Sequence, residues 1–102
     1  MAKGYWIAHV DVSDPEGYKE YQAANAVAFA KYGARFLVRA GSSETVEGQL
    51  RSRHVVIEFP DYASALACYR SPEYTAAIAK RKGRGLVDLA VVEGYDGPRP
   101  AK

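Results

Sequence analysis

One short signal occurs twice in this chain and fixes most of what the chain can become. Ser13-Asp14-Pro15-Glu16 and Ser71-Pro72-Glu73 each place a capping side chain, a proline and an acid at the start of a helical stretch. Ser13 or Asp14 can serve as the first cap, and Glu16 completes a capping box counted from Ser13. The first helix is expected over residues 15–32, stopping at Gly33, which can take the left-handed cap conformation. The second signal opens a helix over 72–82, closed by Gly83 and preceded by a separate helix over 62–70 that Asp61 caps. Between the helices lie runs of β-branched and aromatic residues: GYWIAHVDV (4–12), RFLVRA (35–40), RHVVIEF (53–59, closed by Pro60) and LVDLAVVE (86–93). Glu44-Thr45-Val46-Glu47 reads as a continuation of the second strand after a bulge or as a short edge strand of its own.

The resulting order is β-α-β followed by β-α-β with its helix broken once. That is the split βαβ plan: an α+β, ferredoxin-like protomer with a four-stranded antiparallel sheet and its helices on one face. Its usual strand order, four-one-three-two, makes the first and third strands central neighbours. At 102 residues the chain is one domain, expected over 1–97. The Pro-rich residues 98–102 are expected to be a disordered tail.

Composition removes several function classes. Hydrophobic residues make up 48% and charged residues 25%, the balance of an ordinary globular domain. No window approaches the ~20 apolar residues of a membrane span. The net charge of +2 comes from 14 basic and 12 acidic residues, mostly interspersed, which is too little for a nucleic-acid-binding face. The one basic cluster, Lys80, Arg81, Lys82 and Arg84, closes a helix, where cations suit the dipole. Cys68 is the only cysteine, so no internal disulfide can form, and it reads as a small buried helix residue. The start of the chain has no long apolar segment, and a cytoplasmic location is expected.

Alternate strand residues share a face. The apolar phase, expected to meet the helices, holds Trp6, Ala8, Val10 and Val12; Phe36, Val38 and Ala40; Val55, Ile57 and Phe59; and Val87, Leu89 and Val91. The opposite phase mixes charge with Ile7, Leu37, Val56, Ala90 and Val92. An apolar patch of that kind is unusual on a monomer, so a second copy is expected to cover it, sheet against sheet. Eight tyrosines also stand out, several at helical spacing: Tyr18, Tyr21, Asn25, Phe29 and Tyr32 share one stripe; Tyr62, Leu66 and Tyr69 a second; Tyr74, Ile78 and Arg81 a third.

The mixed face is where chemistry is expected. His9, Arg39, His54, Glu58 and Asp88 fall on it by alternation, supplying a base, an anion clamp and carboxylates. Arg39 and Glu58 would lie on adjacent strands, either as part of a site or as a salt bridge that fixes a dimer. No metal is expected, because no HxH or HExxH spacing is present. Gly83-Arg84-Gly85 is too short to cradle a phosphate, and neither a GxSxG elbow nor a dinucleotide fingerprint occurs.

GYWIAHVDVSDPEGYKEY, AKYGARFLVRAG, ETVEG, VVIEFPDYASALACYRSPEY and DLAVVEGYDG together resemble the uncharacterised domain family 1330 of the dimeric α/β-barrel superfamily, over about residues 3 to 97. Relatives in that superfamily include cofactor-free monooxygenases, muconolactone-type isomerases and haem-binding branches. The resemblance implies a ferredoxin-like protomer paired as a homodimer, and no assigned reaction. It ranks Arg39, Glu58, Tyr69, Ser71 and Tyr74 above other polar residues, since they lie in the matching segments. Nothing in the chain matches the axial histidine of the haem-binding branches. Two readings remain. In the first, a cofactor-independent enzyme, isomerase or monooxygenase-like, acts on a small anionic or aromatic metabolite. Arg39 holds an anionic oxygen, Glu58 or His54 moves a proton, and His9, Tyr69, Ser71, Tyr74 and Asp88 bind the ligand. In the second, a non-catalytic dimeric domain binds a metabolite or a protein partner, and the polar sheet face only sets register.

Overall fold

Three capping side chains and four alternating strands produce seven elements. The computed structural model describes residues 2–98 and 100. They are β1 (Gly4–Val12), α1 (Pro15–Tyr32), β2 (Arg35–Arg39), β3 (Arg53–Phe59), α2 (Tyr62–Tyr69), α3 (Pro72–Arg81) and β4 (Gly85–Glu93). The strands form one antiparallel sheet in the order β2-β3-β1-β4, with β1 and β3 in the middle. This is the ferredoxin-like α+β plan, with the helices packed on one side of the sheet.

The caps explain where the helices begin. Asp14 accepts the Gly17 N–H at 3.1 Å, Asp61 accepts the Ser64 N–H at 2.7 Å, and Ser71 accepts the Tyr74 N–H at 3.1 Å. The capping box expected between Ser13 and Glu16 does not form. The Ser13 N–H donates instead to the Arg84 carbonyl, tying α1 to the start of β4, and Glu16 pairs with Lys19. Gly33 ends α1 at φ 71°, and its N–H closes on the Phe29 carbonyl.

Trp6 organises the core. It is almost wholly buried, and its indole N–H donates to the Ala65 carbonyl at 2.8 Å, which pins α2 to β1. Edge-on contacts with Phe29, Tyr69 and Tyr74 at centroid distances of 4.8–5.6 Å join all three helices to the same ring. Ala28, Ala65 and Ala77 are fully buried, and their small side chains let the helices come close. Cys68 lies among them with its thiol directed at the Ala28 carbonyl, and burial pushes that thiol up to about 12. It is a packing residue.

Two expectations fail in and after β2. A β-bulge between Phe36 and Val38 shifts the register: Phe36 faces Ile57, but Val38 faces Val56 and Arg39 faces Val55. Val38 therefore leaves the core phase and is exposed on the outer side of the sheet. Next, Ala40 takes φ 53°, a left-handed conformation that turns the chain out of the ladder. Glu44–Glu47 consequently forms no strand and stays exposed in the loop to β3. The tail expected over 98–102 falls mostly outside the described residues. Among the described residues, no helix is long and apolar enough to cross a membrane.

Candidate functional site

The bulge decides where the site is. In an unbroken strand, residues 36 and 39 would face opposite ways. Here Arg39 stands on the helix side, its guanidinium carbon 4.1 Å from the centroid of the Phe36 ring. The placement of Arg39 beside His54 and Glu58 is thus corrected: the Arg39–Glu58 pairing does not occur, and Arg35 holds the register position opposite Glu58.

Arg39 borders an open-mouthed cavity of about 70 Å³ between α1 and the sheet, room for a few waters or for one end of an aromatic ring, since enclosing a whole benzene takes about 150 Å³. Trp6, Phe36 and Ile57 form much of its apolar floor. From α1, Tyr18, Gln22, Asn25 and Phe29 project onto it, and exposed Arg39 and Arg53 stand at its rim. Asn25 is only 6% exposed and Tyr18 only 8%. Neither the Asn25 amide nor the Tyr18 hydroxyl has a hydrogen-bond partner among the described residues. Burial, and next the neighbouring Tyr21, pushes the Tyr18 hydroxyl up to about 12, so it stays protonated at neutral pH and can only donate or accept as a phenol. The described lining contains no carboxylate, imidazole or thiol.

The remaining expected residues divide between two other places. On the outer sheet face, His9 and His54 are register partners whose Nδ1 atoms lie 2.9 Å apart, so one ring donates to the other. Glu58 accepts from the Tyr5 hydroxyl at 3.3 Å, and desolvation together with that carboxylate raises Tyr5 above its ordinary value. Asp88 and Asp11 hold Arg51 between them at 2.9 and 3.1 Å, clamping the end of the β2–β3 loop to the sheet. Ile7, Leu37, Val38 and Val92 are exposed on this face.

Tyr69, Ser71 and Tyr74 sit on the helix side, in the packing of α2 and α3. The Ser71 hydroxyl donates to the Cys68 carbonyl at 2.7 Å and accepts from Tyr74, which commits it to the cap. Tyr74 is fully buried, bonded to the Tyr21 hydroxyl, and Arg81 donates to both phenols at 3.2–3.3 Å. Tyr69 packs its ring on Trp6 and Tyr74. The basic cluster is structural in part: Arg81 turns inward, and Arg84 bonds the Gly17 carbonyl and Glu20.

Of the eight expected site residues, Arg39 alone lines the cavity, while His9, His54, Glu58 and Asp88 share the opposite face. Asn25, Tyr18, Gln22 and Arg53 were not singled out as site residues. The signal for Asn25 was present, since it is the one amide in the aromatic stripe of α1. Arg53 has the phase of Val55 and Ile57, an arginine on a core-facing alternation. Among the described residues, no group of three or more His, Cys, Asp or Glu is arranged to hold a metal ion.

Sheet order and helix placement define a ferredoxin-like α+β domain. Solved structures share that fold. A protein of unknown function from Rhodopseudomonas palustris, RPA0582, is 14% identical, with 94% of this chain and 85% of that one covered and a TM-score of 0.74. SnoaB, a cofactor-independent oxygenase from Streptomyces nogalater, is 11% identical over 95% of this chain and 97% of its own, with a TM-score of 0.62. An EthD family protein from Bacillus halodurans is 16% identical over 93% and 100%, with a TM-score of 0.55. No curated protein matches the chain. The chain belongs to the DUF1330 family, a domain of unknown function, whose profile matches residues 3–95.

Proposed function

We propose that this domain binds a small aromatic anion in the cavity between α1 and the sheet, and oxidises it with dioxygen without a bound cofactor. The observation that carries this reading is an apolar, aromatic-floored cavity rimmed by Arg39 and Arg53, with no carboxylate in its described lining. Such a lining stabilises a substrate anion and solvates its apolar body. It offers no carboxylate or imidazole base, which weighs against isomerisation by proton shuttling at this site. An electron-rich anion needs no such base, because the arginines favour its ionised form. The anion itself supplies the electrons to dioxygen. An activated ring CH2 becomes a carbonyl with one oxygen atom, and the other leaves as water with the two hydrogens of that carbon, so no external reductant is consumed. The shared fold with SnoaB, a cofactor-independent oxygenase, supports this reaction class.

The same reading places two copies back to back. The bulge adds Val38 to the exposed Ile7, Leu37 and Val92 on the outer face, an apolar surface suited to burial against its own copy.

Trp6 is the only tryptophan and lines the cavity, so its fluorescence reports occupancy directly. Titration with benzoate, 1-naphthoate and anthrone-type phenols should give a saturable change, with oxygen uptake for the electron-rich members. Saturable binding with no oxygen uptake would leave a metabolite-binding domain. The absence of any saturable signal would reject the cavity as a site.

A further inference from the structure

We infer that Asn25 sets the specificity of this cavity, and that its ligand carries a hydroxyl or carbonyl at the end away from its anionic group. The inference rests on the cavity being the ligand site and adds what that ligand must look like.

Asn25 sits one helical turn from both Tyr21 and Phe29, in a stripe that is otherwise aromatic. A leucine there would serve packing as well and would leave nothing polar buried. The amide instead brings two donors and an acceptor into an apolar wall. It is more than nine-tenths buried, borders the cavity and lacks a hydrogen-bond partner among the described residues. Its amide atoms keep their accessible surface toward the cavity, so their hydrogen-bond partner is whatever fills that space. The Tyr18 hydroxyl is a second buried group in the same lining with the same lack.

Exposure orders the site from outside to inside. Arg39 and Arg53 are exposed at the rim, whereas Asn25 and Tyr18 are buried in the wall. An anionic oxygen on the ligand is therefore met at the rim, its flat body lies over Trp6 and Phe36, and its far end reaches Asn25. A benzoate-type acid satisfies the arginines but leaves the amide bare. A hydroxylated ring acid, or a phenolate bearing a ring carbonyl, satisfies both ends. Sites built to bond a hydroxyl reject the analogue that lacks it, because the buried partner is then stranded.

Benzoate and 4-hydroxybenzoate differ by that one hydroxyl and test the inference by Trp6 fluorescence and calorimetry. The wild-type protein should bind 4-hydroxybenzoate at least about tenfold more tightly than benzoate. In Asn25→Leu the preference should fall below about threefold while benzoate affinity is kept or improved, and the ligand-free variant should melt no lower than the wild type. Tyr18→Phe separates the two polar groups and should retain most of the preference. Equal wild-type affinity for the two acids overturns the assignment and leaves the cavity as the site. So does a preference that survives Asn25→Leu or disappears in Tyr18→Phe alone. If neither acid binds the wild type, the cavity reading fails and the inference fails with it. The wild-type comparison decides the matter even if a variant does not fold.

Discussion

The Arg39 guanidinium lies over the ring of Phe36, three residues earlier on the same strand, at 4.1 Å from its centroid. That contact exists only because the bulge puts Leu37 and Val38 together opposite Val56. Arg39 is exposed and makes no ion pair among the described residues, so its contribution to stability is limited to the stacking, about 0.5–1 kcal/mol. Arg39→Ala should therefore change the unfolding midpoint in denaturant little, while weakening binding of a small aromatic carboxylate about tenfold or more. Arg39→Lys should recover only part of that affinity, because an ammonium neither stacks as a plane nor forms a two-point bond to a carboxylate. Equal losses of stability and affinity would return Arg39 to a purely structural role.

The fold was legible because cap chemistry and alternation agreed at nearly every element. Asp14, Asp61 and Ser71 mark helix starts through local hydrogen bonds, and local bonds are what a sequence displays best. The bulge was not legible. Phe36, Leu37 and Val38 are all apolar, so either phase fits β2 and the pattern holds no information about an extra residue. That single slip turns Arg39 to the helix side, away from His9, His54, Glu58 and Asp88, which share the outer face as alternation predicts. The positive φ of Ala40, a residue with no special freedom there, likewise hid the end of the ladder and made Glu44–Glu47 look like a strand. Asn25 was visible as a member of the α1 stripe, but a cavity is a property of packing between elements and leaves no periodic trace.

The proposed pairing of two copies makes Ile7 the most sensitive outer-face position. It is on central strand β1, lies opposite both Val56 and Ala90, and is exposed in the single chain. Ile7→Lys should convert a two-chain species to a single chain in sedimentation velocity, with far-UV circular dichroism unchanged. An ammonium there must be desolvated between the sheets, and the carboxylates nearest it in the register, Glu58 and Asp88, are already bonded to Tyr5 and Arg51, whereas on a solvated sheet it costs almost nothing. A wild-type protein that sediments as one chain at all concentrations would remove the pairing.

Tyr74 should be more costly to alter than its conservative change suggests. Its hydroxyl bonds that of Tyr21, and Arg81 donates to both. Burial first, and then the Tyr21 neighbour, raises the Tyr74 hydroxyl well above the ordinary phenol value, so it remains protonated. Tyr74→Phe removes one oxygen from the three-residue group and leaves Tyr21 and Arg81 to be satisfied by each other. The expected loss is about 1–2 kcal/mol in urea unfolding. In a double-mutant cycle, Tyr74→Phe and Tyr21→Phe should be non-additive, since each removes the same bond.

Asp61 provides a pH test with a defined sign. Its carboxylate accepts the Ser64 N–H at 2.7 Å, and Ser64, through that N–H and then its side chain, holds the carboxyl below the usual carboxylate range. A carboxyl lowered on folding contributes stability that is fully present above its unfolded value and is lost as pH falls through the folded one. Asp61→Ala should lower the melting temperature by several degrees at pH 7, because α2 loses its cap. Asp61→Asn keeps a capping oxygen and loses only the charge, so it should melt somewhat below the wild type at pH 7 and show a shallower acid loss, the gap closing as pH falls. Asp11 and Glu73 are also lowered, by bonds to Ser52 and to Lys31, and both remain in the variant. The difference between wild type and Asp61→Asn therefore reads Asp61 alone, and it should vanish at the acid end of the titration. A difference that grows on acidification would mean that the carboxylate carries no net stabilising charge at this cap.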